Sequence, residues 1–186
     1  AAAGRAHLGF GGDSGRITFV DRHLGTTSFA AFEQSVLLLR PVKQRGVLLA
    51  VGSEADNNVV VKVWNMDKME WAEGEAPVPM RTLKPFGSNK GGEVLPRVTA
   101  LAVAEPDLTH LALGLENGNV VLFRGDLVRD RNPKPRMLAP LDGDHATGPM
   151  PVSGLGFRDA GRQRVLFVVY PESIYSYTIS QRGEVL

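Results

Sequence analysis

His110-Leu111-Ala112-Leu113-Gly114-Leu115-Glu116-Asn117-Gly118-Asn119-Val120-Val121-Leu122-Phe123 is the stretch that decides the architecture. Two short apolar runs flank a Glu-Asn-Gly turn, and neither is long enough to carry a helical stripe through three turns. Asn-Gly tolerates the left-handed backbone that tight hairpins require. The stretch predicts two antiparallel strands, the first ending near a glycine and the second in an aromatic residue.

The same two-strand phrase recurs outward from this point. Val47-Leu48-Leu49-Ala50-Val51-Gly52 repeats the small-apolar strand with its terminal glycine. Val59-Val60-Val61-Lys62-Val63-Trp64 and Arg16-Ile17-Thr18-Phe19-Val20 repeat the second strand. A further strand precedes each glycine strand and ends near a charge, as in Val98 to Glu105 and Pro151 to Arg158. Period-two alternation and short apolar blocks predict strands at 8–11, 16–20, 28–32, 35–42, 47–52, 59–64 and 81–86. A second group is predicted at 98–104, 110–115, 119–123, 136–138, 152–157, 165–169 and 173–179.

The turn glycines Gly12, Gly52 and Gly114 stand 40 and 62 residues apart. A propeller blade takes about 40 to 45 residues, so the second interval needs an insertion. The reading is an all-β chain, a β-propeller of WD-like four-stranded antiparallel blades. Approximate blades fall at 5–33, 35–86, 98–138 and 152–180, with insertions at 66–80 and 87–97, in a single domain or part of one over 1–186. A propeller closes with about four to eight blades, so these three to four blades read as a fragment of a larger ring. Blades stack radially because a twisted sheet cannot bury both faces alone.

Composition limits the function classes. Twenty-one basic residues against twenty acidic ones leave a net charge of +1, so no bulk field attracts nucleic acid or an anionic membrane. The absence of cysteine removes disulfides, thiolate metal sites and thiol nucleophiles. Together with the lack of any Asn-x-Ser/Thr acceptor it suits a reducing cytosolic compartment. The longest apolar runs, such as 47–51, fall far short of the roughly 20 residues of a spanning helix, so any membrane connection is expected to be indirect. The opening Ala-Ala-Ala-Gly-Arg has no apolar stretch behind it and does not read as a signal peptide.

One run is more specific than the blade pattern. Gly114 to Arg131, containing Gly-Asp-x-x-Arg-Asp-Arg at 125–131, is followed by Pro151 to Arg158 and Leu166-Phe167-Val168-Val169. These residues, with 49–52 leading to 61–65 upstream, resemble subunit eleven of the class C vacuolar protein sorting complexes over roughly 5–180. The resemblance implies an amino-terminal propeller of a core subunit shared by the HOPS and CORVET tethers, a non-catalytic scaffold in vesicle tethering and membrane fusion. Its implied partners are the other class C subunits, with Rab GTPases or SNAREs reached indirectly. The implied place is the cytoplasmic side of late endosome and vacuole or lysosome membranes, held there through the complex. It implies no cofactor, metal or catalytic residue for this part of such a protein.

Several local signals carry competing readings. Gly12-Asp13-Ser14-Gly15 matches the tetrapeptide around a serine-protease nucleophile, but only His7 precedes it and the next residue is Arg16, so a hairpin turn is expected. His7, His23, His110 and His145 lack metal-ligand spacing, and His110 is expected to be a satisfied structural histidine. Gly87-Ser88-Asn89-Lys90-Gly91-Gly92 lacks the Gly-Lys-Ser/Thr order of a phosphate loop and reads as an insertion. The run 129–136 offers Arg129, Arg131, Lys134 and Arg136 as possible partner contacts, for a phosphate, an acidic segment or a lipid headgroup. Trp64 is expected in the core, and Trp71 as an exposed interface anchor. The alternative to a scaffold is a propeller enzyme or small-ligand binder, recognisable by carboxylates or histidines gathered in a central channel.

Overall fold

Sheets form here because β-branched and aromatic residues alternate or run in blocks of five to seven between turns. The computed structural model describes residues 2–3, 7–68, 76–87, 94–129, 133–140 and 150–179. The described secondary structure is antiparallel β-sheet with single turns of 3-10 helix, in two compact units, Ala1–Leu95 and Pro96–Leu186.

The first unit holds two four-stranded sheets. One runs β1 (Ala2–Ala3), β2 (His7–Gly11), β3 (Arg16–Asp21) and β4 (Thr26–Ala30) in sequential order. The other runs β5 (Val36–Val42), β6 (Val47–Ser53), β7 (Val59–Asn65) and β8 (Arg81–Leu83). Between the sheets lies a core of Ile17, Phe19, Phe29, Phe32, Leu48, Ala50, Val60 and Trp64. Trp64 is 1% exposed, meets Phe29 and Phe32 edge-on at 5.6 and 6.3 Å, and donates its indole N–H to the Pro77 carbonyl at 2.9 Å. It is the core residue that its strand position predicts.

In the second unit β9 (Val98–Val103), β10 (His110–Leu115), β11 (Val120–Arg124) and β12 (Lys134–Leu138) make a four-stranded meander. β13 (Gly154–Ala160), β14 (Gln163–Val169) and β15 (Ile174–Ile179) make a three-stranded one. Ala112, Val120, Leu122, Val152, Leu166, Val168, Tyr177 and Ile179 form the core between them. The Glu116-Asn117-Gly118 turn closes as its sequence requires: Gly118 takes φ +82° and its N–H bonds the Leu115 carbonyl at 3.1 Å.

The glycine at the end of the second strand has a steric cause. A Cβ on Gly114 would lie 2.4 Å from Val152 Cγ1, and one on Gly11 2.4 Å from Val36 Cγ1. Val36 opens β5 of the neighbouring sheet and Val152 lies two residues before β13, so in each unit the glycine lets the neighbouring chain approach at that point. The first glycine in this role is Gly11 rather than Gly12, whose Cβ would meet nothing closer than 3.8 Å.

Strand positions from periodicity agree with the structure to within a residue for most elements; β1 is not among those expected, β8 stops at Leu83 rather than 86, β14 begins two residues early at Gln163, and β4, β12 and β13 are displaced. β4 ends at Ala30, because Ala31 and Phe32 turn away to give their N–H groups to the Gly15 carbonyl at 2.9 and 3.0 Å. β12 begins at Lys134, two residues earlier than expected. β13 starts at Gly154 and continues to Ala160, because Val152 and Ser153 are engaged by Leu115 and Val169 through single backbone bonds.

Candidate interaction surface

The cationic side chains of β11 and β12 follow from register. Arg124 lies opposite Lys134, Leu122 opposite Arg136 and Val120 opposite Leu138. Side chains alternate in a strand, so these six share one face. At one end of that face Leu122 and Leu138 are buried in the core; at the other Arg124, Lys134 and Arg136 are exposed. Sheet order makes β12 an edge strand of its sheet.

Arg129 follows in the loop after β11, its side chain 86% exposed. The loop is anchored by its own sequence. Leu127 is fully buried and donates its N–H to the Leu108 carbonyl at 3.0 Å, while Asp126 accepts from the Val128 and Arg129 amides at 2.9 and 3.0 Å. Much of Gly-Asp-x-x-Arg is therefore a folding motif that fixes the loop before any partner arrives. Lys134 and Arg136 share one face of the second unit's four-stranded sheet and Arg129 stands exposed in the loop after β11; Arg131 and Trp71 lie outside the described residues. Arg124 belongs to the same cationic face and was not among the residues singled out from sequence.

A second polar cluster joins the two sheets of this unit. Arg164 on β14 holds Asp107 through two bonds at 3.1 and 3.0 Å, Asp159 at 2.7 Å and Thr109 Oγ1 at 2.7 Å. His110 Nδ1 lies 3.2 Å from the same guanidinium and 3.0 Å from Thr109 Oγ1. Arginine can only donate, so Nδ1 accepts and the proton sits on Nε2. That Nε2 is buried with no hydrogen-bond partner among the described residues, so the satisfied histidine expected from sequence is satisfied on one nitrogen.

Burial and the Arg164 charge hold the His110 imidazole below its ordinary value. Burial pulls Asp107 upward, but the Arg164 and Thr109 hydrogen bonds outweigh it and the carboxyl ends below its ordinary value. The Asp159 hydrogen bond, helped by the one to Asp107 and opposed by burial, raises Arg164 above its ordinary value. A cleft of about 300 Å³ opens beside this cluster. The guanidinium facing it is already committed to Asp107, Asp159 and Thr109, so the cluster acts as an inter-sheet tie rather than an anion receptor.

The protease-like tetrapeptide is a turn. Gly15 takes φ +71°, a Cβ there would lie 2.1 Å from the Phe32 carbonyl oxygen, and its N–H bonds the Gly12 carbonyl at 3.2 Å. His7 begins β2 while Ser14 lies beyond its other end, and the four residue steps of β2 alone span about 13 Å. Among the described residues no group of three His, Asp or Glu side chains could hold a metal ion.

These meanders, packed in pairs with a polar tie and an exposed cationic edge, define a β-propeller protein, of which the chain forms a part. The β-propeller domain of Cps50 (Swd1) from Myceliophteria thermophila shares the fold, with a TM-score of 0.61 at 13% identity, over 94% of this chain and 51% of that one. The sequence profile of the PEP5/VPS11 N-terminal family matches residues 1–185, and the chain belongs to that family. It is 36% identical over 179 residues to the vacuolar protein sorting-associated protein 11 homologs of Homo sapiens and Mus musculus, covering 96% of this chain and 17% of theirs. The Dictyostelium discoideum homolog is 32% identical over 190 residues, 98% of this chain and 18% of that protein. The chain thus spans less than a fifth of the length of the curated relatives it matches.

Proposed function

We propose that the chain is the amino-terminal propeller region of a vacuolar protein sorting subunit and serves as a non-catalytic interaction scaffold. The observation that carries this reading is the family match over residues 1–185, joined by the likeness to vacuolar protein sorting-associated relatives. The chemistry of the described residues supports it. The half-buried Arg164, its carboxylates and the inter-sheet hydroxyls are consumed in holding sheets together, which leaves exposed edges and loops as the means of action.

In this reading the subunit works in HOPS and CORVET tethering at the endosome and the vacuole or lysosome. Its partners are other class C subunits, with Rab GTPases and SNAREs reached through them, and membranes are met only through the complex. Arg129, Arg131, Lys134, Arg136 and Trp71 are its candidate partner contacts. The test compares the full-length protein with a form lacking residues 1–186, measuring co-purified subunits and tethering of Rab-bearing liposomes. Loss of a subunit or of tethering is expected; unchanged composition and unchanged tethering would overturn the proposal.

A further inference from the structure

The exposed end of the β11–β12 face joins three observations. Arg124 and Lys134 stand directly opposite one another on neighbouring strands, with Arg136 two residues along on the same face. Like charges in directly opposed positions cost stability. Lys134 and Arg136 have no ion-pair partner among the described residues.

The edge backbone is a poor template for strand addition. Pro135 lacks an N–H, and a proline within a sheet turns that missing donor outward, away from the ladder. Pro133 has the same parity, so of positions 133, 135 and 137 only Met137 retains an outward donor. Recognition along this edge therefore falls to side-chain charge. Lys134 and Arg136 are about 7 Å apart along the strand, the repeat of alternate side chains on an extended chain. A membrane surface is recruited by clusters of about four to eight cations, and the β11–β12 strip presents three.

We propose that Arg124, Lys134 and Arg136 form a docking strip for an extended acidic segment of a partner protein, with carboxylates at alternate positions. The proposal goes beyond the tethering role and does not depend on which complex the subunit enters.

The experiment uses full-length protein and a fluorescein-labelled Glu-Ser-Glu-Ser-Glu-Ser-Glu peptide, read by fluorescence anisotropy. Lys134→Glu/Arg136→Glu is expected to weaken binding about tenfold, and Lys134→Gln/Arg136→Gln about threefold. Wild-type affinity should fall steeply as salt rises from about 50 to 300 mM. Lys134→Glu places a carboxylate opposite Arg124, so the melting temperature should hold or rise while peptide binding falls, separating lost contact from lost fold. Equal peptide binding by wild type and both double variants would overturn the proposal and leave the charges as protection of a bare edge. Stronger binding to phosphatidylserine vesicles than to the peptide, lost in the same variants, would overturn it in favour of a membrane surface. Failure of this strip with tethering intact, or the reverse, distinguishes this proposal from the functional one.

Discussion

The two units solve the same packing problem with different chemistry. In the first, the Lys62 ammonium bridges the sheets: it donates to the Ala31 carbonyl at 2.6 Å, pairs with Glu54 and lies 4.9 Å over the Phe32 ring. Glu54 and Glu33 then exchange bonds with the Glu33 and Ala55 amides at 3.0 and 2.9 Å. In the second, hydroxyls reach across, Thr99 to Val152, Tyr170 to Gly118 and Tyr177 to Ala139 at 2.6, 2.8 and 3.0 Å, beside the Arg164 cluster. Both arrangements spend polar groups on neighbouring backbone, which a sheet interface with few buried charges requires. They differ in what would loosen them.

The largest break is apolar and falls in the first unit. Trp64→Ala removes the ring on which Phe29 and Phe32 pack and should cost about 3–5 kcal/mol in chemical denaturation. Hydrogen exchange should accelerate in β3, β6 and β7 well before β10 and β14.

A smaller break separates the sheets of the second unit. Gly114→Val places side-chain atoms where Val152 already stands and should cost about 1–3 kcal/mol through overpacking. Gly156→Val provides the control for space alone, since no atom lies within 4 Å of a Cβ there and its φ is not positive. A Gly114 variant no less stable than wild type would mean that the sheets part without cost.

The smallest effect sharpens the comparison, because only the second unit's tie contains a histidine. The His110 imidazole is held below its ordinary value, so on acidification the unfolded chain takes up the proton first. The contribution of this site is complete above about pH 6.5 and drains away as pH falls below it. Protonation also sets a new N–H on Nδ1 against the Arg164 guanidinium, with Arg124 adding repulsion and Asp107 and Asp159 opposing it. Exchange in β10 and β14 should quicken between pH 7.5 and 5.5 relative to β3 and β6, and His110→Asn should abolish the difference. An identical pH response in both units would remove this role for His110.

How much of this was legible in the sequence depends on the range of the cause. Strands and hairpins are local: period-two apolar residues and the Asn-Gly turn placed β10 and β11 to within a residue. Trp64 was legible as core because it closes a continuous Val-rich run. The Arg164 tie was not, since its partners Asp107, Thr109 and His110 in the other sheet are 54 to 57 residues away and no local pattern marks them as its acceptors. Arg124 was hidden for a related reason. It ends an apolar strand, and only the pairing with β12 shows that it stands opposite Lys134. The Gly-Asp-x-x-Arg stretch was legible as distinctive, but its cause, the burial of Leu127 under the β9–β10 connection, is tertiary.

The glycine opposite Val152 has a consequence for assembly order. A one-residue register slip of β10 within its sheet would turn Leu113 or Leu115 onto the face of Gly114, and either isobutyl group would be refused there. A missing methyl thus works as an alignment notch. A strand free to slip along a greasy seam is thereby held at one register, and the fidelity of stacking is written in the smallest residue available.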